Sequence, residues 1–262
     1  VSAVPFHMWT PDAYEGAPPA VTGFMSTGVK AAAFAAFARV FLTAFESMQA
    51  DWSLLLWAIA AATMVVGTVV GVVQNSLKRM LAYSSIAHGG YLLVALIAAN
   101  QTAKSAILFY LLTYAVTNLG AFGIIGLLET AERPRDQVSD YAGLWNERPG
   151  LAMLMAIFLL SLGGFPPFGG FIAKWYVFTA AMEGGYTWLA IIGVLTSVVS
   201  VFFYLRVVVM MYMTPSNGPI AVPVVPKLAG AALLASAALV FYLGILPTQV
   251  MNWAAASIGT IF

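Results

Sequence analysis

The chain has 262 residues and a net charge of +1, and 61% of its residues are hydrophobic against 8% charged. A mean hydropathy of +0.91 makes lipid its solvent, and no basic run points to a nucleic-acid partner. With no cysteine, it can hold neither an iron–sulfur cluster nor a disulfide.

Taken in order, apolar stretches predict spans over 1–9, 19–43, 53–75, 81–99, 104–128, 150–182, 185–212 and 227–246. The class is an all-α polytopic membrane protein with about seven transmembrane helices plus the end of another. The first stretch opens at Val1 and is broken by Pro5, so it reads as the tail of a helix from a longer protein. The 150–182 stretch exceeds what a bilayer needs, and Gly163-Gly164, Pro166-Pro167 and Gly169-Gly170 make it discontinuous. Val4-Pro5-Phe6-His7 echoes Phe165-Pro166-Pro167-Phe168, and a repeated pair of interrupted segments is the pattern of a transporter site at a repeat interface. Lys78, Arg79, Arg133, Arg135, Arg148 and Lys227 fall on one set of loops, which predicts a cytoplasmic location for that set and an outer-face C-terminus. Trp52, Trp145, Trp188 and Trp253 fall near predicted span ends, as an interfacial belt would.

Within the spans, titratable groups are few. Lys30 is the only charge between Glu15 and Arg39, about 18 Å from the Pro18-Pro19 boundary by helix rise. Lys174 is the only charge in the broken segment from Leu160 to Phe178. A lysine at membrane depth is costly, and it serves either a proton or ion pathway or a static ion pair with a carboxylate in an N-terminal part of the protein ahead of Val1. His88 lies within a span beside Tyr83, Ser84, Ser85 and Tyr91, where an imidazole can relay protons near neutral pH. A lone histidine is more often an ordinary hydrogen-bonded core residue, and His7, after Pro5, carries the same two readings. The remaining charges have plain roles: Lys78-Arg79 a cytoplasmic loop, Arg206 a snorkelling side chain, Asp12, Glu15, Glu46 and Asp51 solvated or structural carboxylates in loops or at span ends, and Glu183 a span terminus, with a channel mouth as its alternative. Gly67 and Gly71 form a GxxxG suited to close helix packing. Phosphate loops, dinucleotide fingerprints and metal-ligand spacings are lacking, which leaves no catalytic or metal site in the sequence.

Three long motifs carry a family resemblance. The stretches at 2–41, 77–96 (LKRMLAYSSIAHGGYLLVAL) and 163–178 (GGFPPFGGFIAKWYVF) closely resemble antiporter-like subunit N of respiratory complex I, the NADH:quinone oxidoreductase. The pattern is related to cation/proton antiporter subunits of the Mrp type. The resemblance implies a fourteen-helix fold with two inverted five-helix repeats. Residues 1–43 would end the first repeat, 53–212 would form the second and 227–246 the final helix, all in one membrane domain. It also implies that Lys30 is the central-axis lysine, Lys174 the lysine of the second broken helix, and His88 the bridge between them. A further lysine would fall just ahead of Val1, and its glutamate partner further upstream. The implied activity is proton translocation coupled to NADH oxidation and quinone reduction elsewhere in the complex, with NADH, FMN, iron–sulfur clusters and quinone held by other subunits. The implied partners are other membrane-arm subunits, including sister antiporter-like ones, in a bacterial inner membrane. The competing readings are a stand-alone or Mrp-type cation/proton antiporter subunit and a packing scaffold.

Overall fold

A computed structural model describes residues 1–129, 135–216 and 225–261; Arg133, one of the residues that set the predicted orientation, lies outside them. The described residues are mostly helical, and among them the sole β pairing is an isolated bridge between Ser76 and Gln137.

Residues 1–8 are not helical, so the predicted span tail at 1–9 is absent. Helix α1 begins at Trp9 and runs to Gly16, with Pro11 in its first turn, where its missing N–H costs nothing. Helix α2 occupies Pro19–Ala44 and starts on a proline; it widens into π-helical turns at Met25–Val29, directly before Lys30, and at Val40–Ala44. Next come α3 (Gln49–Val72), α4 (Leu77–Ala98) and α5 (Gln101–Leu128). The turn between α4 and α5 is only Ala99 and Asn100, the latter capping α5 by accepting from the Ala103 N–H at 2.8 Å. The long segment is split as expected into α6 (Pro149–Gly163) and α7 (Gly169–Glu183), followed by α8 (Thr187–Met213) and α9 (Lys227–Ile245). A last helix, α10 (Pro247–Ile261), went unpredicted: Val250, Ala254 and Ile258 recur every four residues and are buried, while Trp253 is exposed. Six of these helices are long and apolar enough to cross a membrane, and α6 is a shorter apolar one.

Helix α4 is the axle of the bundle, packed against α1, α3, α5, α7 and α8. Its side chains are almost all buried even though they include Ser84, Ser85 and His88. Close packing against α3 comes from glycine: a Cβ on Gly67 would lie 2.6 Å from the Ala87 nitrogen, and one on Gly90 3.0 Å from the Met64 nitrogen. The glycine pair read from the sequence thus faces a neighbour, with Gly71 set against Phe203 and Tyr83.

Two charge readings change. Lys78 and Arg79 are not in a loop but in the first turn of α4, where the helix dipole disfavours cations. Carboxylates compensate: Lys78 pairs with Glu129 and Asp136, both at 3.1 Å, and Arg79 with Asp12 at 2.8 Å and Glu15 at 2.7 Å. The segment after α5 is held there as well, since the Leu77 N–H donates to Asp136 O and the Val138 N–H to Asn75 O. In the same segment burial pushes the Tyr141 phenol up, which keeps it neutral, and it donates to Arg135 O at 3.2 Å. Arg206 does not snorkel; its guanidinium donates to Val72 O at 3.2 Å and to Gln74 O, closing the C-terminus of α3.

Candidate functional site

Lys174 is built in by the chain break. Helix α6 ends at Gly164 in the left-handed region, φ +86°. Its turn returns the Gly164 N–H to Ser161 O and the Phe165 N–H to Leu160 O, each at 3.0 Å, which satisfies two of the terminal carbonyls. The next two, Leu162 O and Gly163 O, accept from Lys174 Nζ at 2.9 and 3.0 Å. A third bond runs from Nζ to Ser197 Oγ of α8 at 2.8 Å. The ammonium therefore sits at the negative end of a half-helix inside the bundle, 5.3 Å from the centre of the Tyr91 ring.

Lys30, just past the π-helical turn of α2, reaches across to α4 and donates to Ser85 O. Its Nζ lies 5.4 Å from the centre of the Tyr114 ring. His88 stands between the lysines, with Nδ1 2.6 Å from Tyr110 Oη and Nε2 3.3 Å from Tyr204 Oη. Its ring centre is 5.0 Å from that of Tyr114 and 5.5 Å from that of Tyr91. The order across the bundle is thus Lys30, Tyr114, His88, Tyr91, Lys174. The three titratable groups are 4%, 5% and 5% exposed, and among the described residues neither lysine pairs with a carboxylate.

Other sequence candidates join the row. Ser84 bonds Tyr204 Oη, Ser85 meets Tyr14 Oη at 3.4 Å, and Tyr91 Oη meets Thr196 Oγ1 at 3.5 Å. His7 does not: its Nδ1 is buried without a hydrogen-bond partner. Pro5 lies in the turn ahead of α1, and Pro166 and Pro167 in the link between α6 and α7. Beside His88, a cavity with about 10 Å³ open to water centres is lined by Tyr110, Tyr114, Thr117 and Ser161, enough for about one water. The sequence reading missed Tyr110, Tyr114, Ser197 and Tyr204. Their signal was helical spacing: Tyr110 and Tyr114 are four apart on α5, and Ser197, Ser200 and Tyr204 lie three and four apart on α8.

Residues 1–200 match the family described as NADH:quinone oxidoreductase/Mrp antiporter, TM. The chain belongs to this family. A relative from Trichlorobacter lovleyi, NADH-quinone oxidoreductase subunit N, is 49% identical over 261 residues, covering 100% of this chain and 54% of that protein. A chain of the respiratory complex I of Thermus thermophilus, solved with bound aureothin, superposes with a TM-score of 0.83 at 36% identity, over 96% of this chain and 55% of that one. A chain of the Mrp complex from Dietzia superposes with a TM-score of 0.86 at 22% identity, over 99% of this chain and 56% of that one, which shows a shared fold. The chain spans about half the length of the curated relatives it matches.

Proposed function

We propose that the chain forms part of a proton-translocating membrane-arm subunit of an NADH:quinone oxidoreductase, with Lys30, His88 and Lys174 as its proton path. The carrying observation is the row itself: two buried lysines without carboxylate partners flank a buried histidine within the described residues. Charges in such surroundings interact far more strongly than in water, so a proton gained at one station raises the cost of charge at the next. Protons would thus move in response to charge at a neighbouring site, with no redox group in this chain.

On this reading NADH, FMN, iron–sulfur clusters and quinone belong to other subunits, and the neighbours in the membrane include sister antiporter-like subunits. The subunit would sit in a bacterial inner membrane with the Lys78, Arg79 and Lys227 face cytoplasmic and the C-terminus outside. Residues 1–43 would close one inverted repeat and 53–212 form the other. The broken pair α6–α7, with Lys174 on its freed carbonyls, supports a repeat-interface site.

The test replaces Lys30 and Lys174 separately by alanine in the full complex. Inverted vesicles then report NADH-driven proton uptake beside quinone reduction. Each variant is expected to lose most of its proton uptake. Wild-type uptake in both would reject the path, and sodium/proton exchange with no electron donor present would favour the Mrp-type antiporter instead.

A further inference from the structure

His88 has two ring nitrogens, and each faces a phenol from a different helix. Tyr110 Oη of α5 lies 2.6 Å from Nδ1, and Tyr204 Oη of α8 lies 3.3 Å from Nε2. The two phenols are not equivalent. Tyr204 Oη has a second contact, with Ser84 Oγ, so it can accept from one neighbour while donating to the other. Tyr110 Oη meets only His88 Nδ1 among the described residues, and Tyr110 is 2% exposed. A buried O–H without an acceptor is costly, and the acceptor on offer is the Nδ1 lone pair. With Tyr110 donating there, a neutral ring carries its proton on Nε2. That N–H faces Tyr204 Oη, which accepts it and donates onward to Ser84 Oγ, so every donor is placed. In the opposite tautomer Nδ1–H would donate to Tyr110 Oη. The Tyr110 proton would then have to leave for the small cavity that His88, Tyr110 and Thr113 line.

We propose that Tyr110 is a positioning residue for His88: its hydroxyl, donated to Nδ1, fixes the neutral imidazole in the Nε2–H tautomer that faces Tyr204. This rests on the proton path proposed above and says how its histidine is held between protons. The neutral ring has one place for a further proton, the Nδ1 lone pair, and Tyr110 covers it. An imidazolium donates from both nitrogens. In that state Tyr110 Oη accepts from Nδ1–H and turns its own proton into the cavity. Thr113 on the cavity wall spends its hydroxyl proton on Phe109 O at 2.9 Å, which leaves its oxygen able to accept. Tyrosine keeps its proton in both states and only reverses the direction of its hydrogen bond to the ring.

The full complex, grown with isotope-labelled histidine, is compared as wild type, Tyr110→Phe and His88→Leu. Solid-state NMR correlation of ring nitrogens with their carbons reads which nitrogen carries the proton, and the signals lost in His88→Leu belong to His88. Wild type above neutral pH is expected to show His88 in the Nε2–H form. Tyr110→Phe keeps an aromatic ring where Tyr110 packs at 5.8 Å from the imidazole and removes the hydroxyl alone. It is expected to shift the tautomer ratio about tenfold toward Nδ1–H, the equivalent of one lost hydrogen bond, and to slow NADH-driven proton uptake. A wild-type ring protonated on Nδ1 would overturn the role of Tyr110, and that spectrum decides the matter where Tyr110→Phe does not assemble. An unchanged ratio in Tyr110→Phe, or unchanged uptake beside a shifted ratio, would overturn it as well. Wild-type uptake in His88→Leu would instead reject His88 as a station of the proton path, whichever nitrogen carries the proton.

Discussion

Lys174 does two jobs with one ammonium. It completes the C-terminus of α6 by bonding Leu162 O and Gly163 O, and it sets a titratable charge against the Tyr91 ring. Lys174→Met keeps the aliphatic stem and removes the donors, leaving two buried carbonyls unmet. A loss of about 1–3 kcal/mol is expected, read as a lowered melting temperature of the detergent-solubilised protein; an unchanged melting temperature would mean that the carbonyls find other donors. Gly164 tests the same corner from the backbone. Its φ of +86° is glycine territory, and a Cβ there would come within 3.0 Å of Lys174 Cδ. Gly164→Ala is expected to cost about 1–2 kcal/mol from the left-handed conformation alone, measured in the same melt, and a neutral result would show that the turn relaxes. Lys30 and Lys174 were legible in the sequence because an isolated charge in a long apolar run stands out. Tyr110 and Tyr204 were not, because a tyrosine in a membrane helix reads as bulk until its hydroxyl partner on another helix is seen.

Among the elements, the spans from residue 19 onward and the α6–α7 break followed from apolar length and from paired glycines and prolines, both local properties, whereas the span tail expected at 1–9 did not form. The charge readings that failed did so for tertiary reasons. Lys78 and Arg79 looked like loop charges because their partners Glu129, Asp136, Asp12 and Glu15 lie far away along the chain. Arg206 looked like a snorkelling residue because the open carbonyls at the end of α3 leave no mark in its own helix. Arg206→Met should uncap Val72 O and Gln74 O and destabilise the protein by about 1–3 kcal/mol; an equal melting temperature for variant and parent would remove the capping role. Helix α10 escaped notice because its buried stripe alternates with exposed residues such as Trp253 and never forms a continuous apolar run. Packing of α3 on α4 depends on Gly67, so Gly67→Leu should drive a side chain into the Ala87 backbone. The expected cost is about 1–3 kcal/mol, and a fully stable variant would show that the two helices can part.

At the scale of the whole molecule, α4 gathers every station. It receives Lys30 on Ser85 O, carries His88, and supports Lys174 through Tyr91, while α5 and α8 supply the tyrosines that fix the imidazole. On the proposed proton path, stations so arranged would act in series. Groups that act as a unit give strongly non-additive losses, whereas independent groups give losses that multiply. The most direct measurement is NADH-driven proton uptake by inverted vesicles carrying Lys30→Ala, Lys174→Ala or both. A single series path predicts that the double variant loses no more than the more severe single one. Losses in the double variant equal to the product of the two single losses would contradict it.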